Sequence, residues 1–503
     1  MRRRRPVAAL LAPLALAGCS LAAAPEPVPP SRPATPTTSV PAALDRFYDQ
    51  QVRWVNCGPA DCGTITAPLD YDRPEDGTID LAITRVAATG ERLGTLFVNP
   101  GGPGASAVDY AKLADAIVGD PIREHYDVVG LDPRGVGRSS PVECLTDSEL
   151  DELAAAAATP ETADEEQRII EVSRLPGEGC TRAAADTLPH LGTVDSARDL
   201  DIARSVVGDD LFNYVGSSYG SLLGATYAEL FPDRVGRMVL DGALPASLDQ
   251  VEVTRGQAVG FELALRDFVE DCLEQDDCPL EGTVEEGQQQ VRDWLASLDR
   301  DPIPSGDREL NEPLAAFAIL TNLYAPEYDF PRLRAALTDA MDERDASMLL
   351  SMLDERISRG PDGRYTDNST EAFYAVTCLD RPYLGSVEEV RVLARDWVDE
   401  APTFGPSLAW GLLVCQDWPA TGELITETRA EGSNPILVVS TTHDPATPHA
   451  WGGLLADELA NARLLTFDGL GHTAYQRGSG CVDGFVDGYL LTGNLPPEDT
   501  VCT

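Results

Sequence analysis

Lysine is all but missing from this 503-residue chain: Lys112 stands alone against 37 arginines, a bias of genome composition that carries no chemistry. Basic charge as a whole is scarce. With 38 Lys and Arg against 83 Asp and Glu the net charge is -45, which excludes nucleic acid as a first expectation for a partner. Histidine occurs only five times and never in HxxxH spacing, and the eleven cysteines form no paired CxxC motif, so neither a metal nor another cofactor is expected. The apolar run near the start, Val7 to Ala17, is too short to span a bilayer stably, and no internal repeat is visible. What is present, 43% apolar and 24% charged residues, suits a globular chain with room for two domains or for one with a large insertion.

The N-terminus has the form of an export signal: four arginines, Arg2 to Arg5, then the apolar run, then Leu16-Ala17-Gly18-Cys19. That tetrad resembles the lipobox of bacterial lipoproteins, which implies lipidation of Cys19 and removal of everything before it. A plain secretory signal cleaved nearby is the alternative. Seven prolines between residues 25 and 41 suit an extended spacer that holds a folded body off a membrane surface. With Cys19 set aside, ten cysteines remain, an even number in a chain bound for an oxidising compartment, and disulfides follow. Sequence does not fix their pairing. Closeness suggests Cys57 with Cys62 and Cys272 with Cys278; Cys144 with Cys180, Cys378 with Cys415 and Cys481 with Cys502 would complete five.

Short β-branched runs alternate with helical spacing in two blocks. The first holds Ile79 to Ala87, Gly94 to Pro100, Tyr126 to Asp132, Phe212 to Ser218 and Arg234 to Gly242; the second holds Pro435 to Asp444 and Ala462 to Gly469. Continuous apolar runs of this length are strands buried on both faces, so a mostly parallel sheet with helices on both sides is expected. From Ala246 to about Gly422 the apolar residues recur only at helical spacing, which marks a helical insertion. The expected organisation is a signal peptide at 1–18, the lipobox cysteine and linker at 19–41, a first core segment at 42–245, a helical lid at 246–424 and a second core segment at 425–503.

Gly216-Ser217-Ser218-Tyr219-Gly220 matches Gly-x-Ser-x-Gly between a strand-like and a helix-like run, the sharp turn that presents a serine hydroxyl. An ordinary tight turn of small residues is the alternative. A serine nucleophile needs a base, and the base a carboxylate, in the chain order serine, acid, histidine. His125 and His190 precede Ser218; among His443, His449 and His472, the last sits in a glycine-flanked loop just past a strand and is the expected base. Asp444, in the loop after the preceding strand, is the expected acid, with Asp417 and Asp468 as rivals. Backbone donors for an oxyanion fall on Tyr219 and on Gly102 of Asn99-Pro100-Gly101-Gly102-Pro103-Gly104, with Gly101 the alternative for the second. Asp132 and Arg134 are read as stabilising their loop.

Together, NPGGPG, DPRGVGRSS, GSSYGSLLGATYAELFPDRVGRMVLDG, DPATP and GLGHTA resemble the secreted tripeptidyl aminopeptidases of actinobacteria, α/β-hydrolases related to proline iminopeptidases, over nearly the whole chain beyond the spacer. The resemblance implies the α/β-hydrolase fold with a large helical lid, the triad Ser218, Asp444 and His472, and peptide substrates with a free N-terminus from which short peptides, tripeptides among them, are released. It also calls for a carboxylate to receive the substrate ammonium, and Asp380 is the candidate. Iminopeptidases carry histidine before the paired glycines where this chain has Asn99 and Pro100, so strict proline preference is not implied. An esterase with the same triad, and a non-catalytic peptide-binding lipoprotein, are the competing readings.

Overall fold

The computed structural model describes residues 40–156 and 159–503. The expected signal peptide, Cys19 and all but the end of the linker lie outside the described residues. The strands are β1 (Val55–Asn56), β2 (Asp61–Pro68), β3 (Thr78–Val86), β4 (Gly94–Asn99), β5 (Tyr126–Leu131), β6 (Phe212–Ser217), β7 (Val235–Asp241), β8 (Ile303–Ser305), β9 (Arg308–Leu310), β10 (Ile436–His443), β11 (Ala462–Leu470) and β12 (Val501–Cys502). Ten of them form one sheet in the order β1-β2-β3-β5-β4-β6-β7-β10-β11-β12. From β5 to β12 every neighbouring pair is parallel, while β1, β2 and β3 pair antiparallel at one edge.

Every residue of β4 and β5 is buried, because the sheet is covered on both sides and adjacent side chains point to opposite faces. Phe97, Tyr214, Met238 and Val438 enter one core with the helices Thr193–Val206 and Tyr219–Leu230. Leu96, Val98, Val239 and Val439 enter the other, with the helix Gly480–Thr492. This is the mostly parallel, doubly covered sheet that the sequence pattern predicts and the α/β-hydrolase architecture that the resemblance implies.

Between β7 and β10 the chain is nearly all helix, from Gln250–Leu273 to Gly405–Gly411, and has a core of its own around Phe268, Leu295, Leu333 and Leu353. One departure from the sequence reading is the hairpin β8–β9. Pro302 and Pro304 remove helix donors there, and Gly306 turns the chain at φ +63°. A second is β2, which pairs with β3 over eight positions; its Thr-Gly-rich, half-exposed edge lacks the apolar run that marks the interior strands. All five expected disulfides form, Cys57–Cys62, Cys144–Cys180, Cys272–Cys278, Cys378–Cys415 and Cys481–Cys502. Among the described residues no helix is long and apolar enough to cross a membrane, and no cluster of ligating side chains could hold a metal ion.

Candidate active site

The parallel strands all end at one rim, and the candidate groups sit on the loops that leave it. Ser218 follows β6 with φ 57° and ψ -125° and caps the helix Tyr219–Leu230. A non-glycine residue there is strained, and the glycines around it remove the clashes that would forbid the turn. A Cβ on Gly216 would stand 2.3 Å from the Gly220 carbonyl oxygen, and one on Gly220 would stand 2.9 Å from that of Asn99. The turn is held from below: the Ser218 N–H donates to the Asp241 carbonyl (2.8 Å), and the Ser221 hydroxyl donates to the Ser218 carbonyl (2.5 Å) while accepting the Leu244 N–H (2.8 Å).

Gly242, next to Asp241, packs against the His472 ring, where a Cβ would meet Cε1 at 3.2 Å. The loops of Ser218 and His472 therefore adjoin across Asp241–Gly242. His472 Nδ1 lies 2.8 Å and 3.0 Å from the two carboxylate oxygens of Asp444. Asp444 is fully buried at its side chain, and the His472 side chain is 11% exposed. The carboxylate also accepts N–H groups from Ala446 (2.9 Å), Thr447 (2.8 Å) and Thr473 (3.0 Å). A carboxylate set against Nδ1 accepts the hydrogen bond of its proton and fixes the tautomer, which leaves Nε2 with the lone pair that a general base uses. His472 is held from the helical block too: its backbone N–H donates to the Tyr324 carbonyl (2.9 Å), and the Tyr324 ring meets the imidazole edge-on at 5.2 Å.

The loop Asn99–Gly104 lies against the same turn. A Cβ on Gly101 would approach Ser218 Cβ to 2.8 Å and the Ser217 carbonyl oxygen to 2.5 Å, so only glycine fits. Gly101 donates its N–H to the Asn99 side chain (2.9 Å). Gly102 is exposed with φ +110°. Tyr219, at the first position of its helix, has no intrahelical acceptor for its N–H, and the positive end of that helix favours developing negative charge.

Asp380 does not match its expected role. Its two oxygens accept the Thr193 N–H (2.9 Å) and the Thr193 hydroxyl (2.5 Å), so it ties the end of the helix Ser369–Asp380 to the start of Thr193–Val206. Burial raises its pKa. A carboxylate engaged in this way is a helix-end anchor, not an open seat for an ammonium group. The rival acids are elsewhere: Asp468 accepts the Thr442 hydroxyl (3.1 Å), and Asp417 lies just after the last helical turn of the block, Leu412–Cys415. His443 pairs with Asp267 (2.8 Å) and His449 with Thr466 (3.1 Å). Arg134 forms a forked pair with Asp199 (2.7 and 2.6 Å) and donates to three carbonyls, of Pro68, Leu69 and His190. Asp132 accepts from Ser106, Val108 and Arg138.

One residue of the site has no motif to announce it. Asp241, 1% exposed at the end of β7, accepts the N–H groups of Ala474 (3.0 Å) and Tyr475 (2.9 Å) with its carboxylate, while its carbonyl holds Ser218. Burial pushes its pKa up to about 6, against the pull of the two N–H groups and of His472, with Asp444 adding to the rise.

Fold and site define a serine hydrolase. Residues 401–502 match the family described as TAP-like protein. Over 484 residues the chain is 34% identical to serine protease Hip1 of Mycobacterium tuberculosis, spanning 90% of this chain and 91% of the relative. It is 36% identical over 532 residues to carboxylesterase B of the same species, spanning 100% and 99%. It is 31% identical over 475 residues to tripeptidyl aminopeptidase of Streptomyces lividans, spanning 90% and 86%. The chain belongs to the tripeptidyl aminopeptidase-like family of α/β-hydrolases.

Proposed function

We propose that the protein is an exported exopeptidase that releases short peptides, tripeptides among them, from free N-termini through an acyl-enzyme on Ser218. The observation that carries the mechanism is the buried Asp444–His472 pair on loops that border the Ser218 turn. His472 Nε2 takes the Ser218 proton as Oγ attacks the scissile carbonyl. The tetrahedral oxyanion accepts N–H groups from Tyr219 and Gly102. The C–N bond breaks as the leaving amine takes the proton from Nε2, and a water activated by the same imidazole then releases the acyl group and restores Ser218. Asp444 stays ionised throughout and keeps the ring oriented.

The helical block at 246–424 acts as a lid that admits chain ends. The relatives named serine protease and tripeptidyl aminopeptidase support peptide substrates. The five disulfides support an oxidising compartment, in keeping with export and a lipid anchor on Cys19. Hydrolysis of a defined peptide mixture, read by mass, tests the reading: three-residue N-terminal products are expected, and internal cleavage or no cleavage refutes it. An esterase is the second reading. It is favoured by the relative named carboxylesterase B and by the engagement of Asp380. Turnover of aryl esters without turnover of peptide nitroanilides would establish it. Labelling of Ser218 by a fluorophosphonate is expected on either reading, and its absence in folded protein would favour a non-catalytic binder.

A further inference from the structure

A cavity of about 240 Å³ lies between the helical block and the helices Asp147–Ala155 and Ala163–Ser173. Leu150, Ile169, Leu320, Tyr374, Phe404 and Trp410 are among its walls, and no charged side chain lines it. An engineered cavity of ~150 Å³ holds benzene, so this one has room for a larger aromatic group. It neighbours the site on two sides, across intervening side chains. The backbone of Gly104, in the oxyanion loop, is pressed against Ser369 and Phe373, where a Cβ would stand 2.4 Å from the Ser369 carbonyl oxygen. Thr370 and Tyr374, each one residue further along that same helix, line the cavity. On the other side, two aromatic layers separate it from the base: Tyr324 against His472, Phe261 against Tyr324 at 5.6 Å, and then Phe404 of the cavity wall at 6.3 Å from Phe261. The cavity thus lies one helix away from the oxyanion loop and two aromatic layers away from the imidazole.

The Tyr374 hydroxyl has no hydrogen bond to any described residue, and burial pushes its pKa up to about 12. Tyr374 is half-buried and lines the apolar chamber, where a hydroxyl without a protein partner can bond a polar atom of a ligand, such as a substrate amide.

We propose that this cavity binds a large apolar side chain of the acyl group carried by Ser218, with the Tyr374 hydroxyl bonding the adjoining backbone. The inference rests on the hydrolase reading above and gives it a substrate class: acyl segments with an aromatic or long aliphatic side chain, whose charged terminus, if any, lies outside the cavity.

The test compares Ala-Ala-Ala-nitroanilide with three analogues that carry Phe at each position in turn, on wild type, Ala316→Phe and Ala154→Phe, which fill the cavity from two different helices. Phe at one position raises kcat/KM roughly tenfold to hundredfold in wild type. Each filling variant loses that gain while keeping trialanine turnover and fluorophosphonate labelling. No preference at any position in wild type, or a preference that survives in a folded filling variant, overturns the proposal. A filling variant that does not fold leaves the other, and the wild-type preference, to decide. If labelling occurs but no peptide is cleaved, the peptidase reading fails alone. The cavity is then tested with aryl acetate against aryl phenylpropionate, where equal kcat/KM overturns it.

Discussion

Asp241→Asn separates stability from activity at this site. The carboxylate has an ordinary pKa of 3.8 and is raised to about 6 by burial, net of the Ala474 and Tyr475 N–H groups it accepts and of His472, with Asp444 opposing its ionisation; Tyr110 faces it from the helix Ala107–Ala111. A carboxyl raised in the folded state favours folding below pH 3.8, and that contribution is lost as pH rises through about 6. The gap between the two values corresponds to ~3 kcal/mol. Below pH 4 the wild-type residue is a neutral acid with one acceptor oxygen, close in shape and bonding to asparagine, so the two proteins should have nearly equal stability. At pH 8 the wild type carries the buried charge and the variant does not. Asp241→Asn should then be more stable by up to about 3 kcal/mol.

Activity should move the other way. In the variant the amide NH₂ replaces one oxygen, and the Ala474 N–H, which lies 3.1 and 3.0 Å from the two carboxylate oxygens, meets a donor in place of an acceptor. Ala474 is two residues from His472, and a base displaced by about 1 Å loses on the order of a hundredfold in rate. A fall in kcat of roughly tenfold to hundredfold, with KM little changed, is expected at pH 8. Urea unfolding at pH 4 and pH 8 with disulfides intact, beside steady-state kinetics at pH 8, checks both halves. Equal destabilisation at the two pH values, or full activity in the stabilised variant, refutes the reasoning.

Asp444→Asn keeps the fold but lets the imidazole take the wrong tautomer, and kcat should fall by about 10⁴, the size of this change in a chymotrypsin-type enzyme; a loss under tenfold would show that another carboxylate serves. Gly101→Ala should abolish fluorophosphonate labelling, since its Cβ would displace the Ser218 turn, whereas Gly208→Ala, at a similar φ of +86° but with open space around it, should keep full labelling. Asp380→Ala uncaps the Thr193 helix and should cost about 0.5–2 kcal/mol of stability without changing the ratio of free to N-acetylated peptide turnover. A selective loss on free peptides would restore Asp380 to substrate binding.

What the sequence makes legible at this site is chemistry that needs a local pattern. Gly216 and Gly220 flank Ser218 because the turn cannot close otherwise, so three residues in a row of five announce it. Asp444 and His472 follow from order along the chain and from strands dense enough in apolar residues to count. Asp241 escaped because its partners are main-chain N–H groups 233 and 234 residues away, which leave no mark on residue type. Asp380 misled for the same reason. Its engagement with Thr193, 187 positions earlier, turns an available carboxylate into a structural one. The hairpin β8–β9 is too short for a period to show, and β2 carries the mixed polarity of an edge.

The base is gripped by both halves of the molecule, and this changes what the helical block is for. His472 is oriented by Asp444 from the core, but its N–H and one ring edge are held by Tyr324 of the block. Its carbonyl accepts from Arg477 (2.8 Å), whose guanidinium pairs with Glu327 (2.8 and 3.0 Å), again in the block. A cover that only restricted access could be loosened with a gain in substrate range. Loosening this one removes the Tyr324 ring from the imidazole and the Tyr324 and Arg477 hydrogen bonds from the His472 backbone, so on the proposed reading of the block as a lid, substrate admission and the alignment of the base would be coupled. If the cavity takes a substrate side chain as proposed, that side chain would press on the aromatic run from Phe404 through Phe261 and Tyr324 to His472, and its occupancy would be felt at the base.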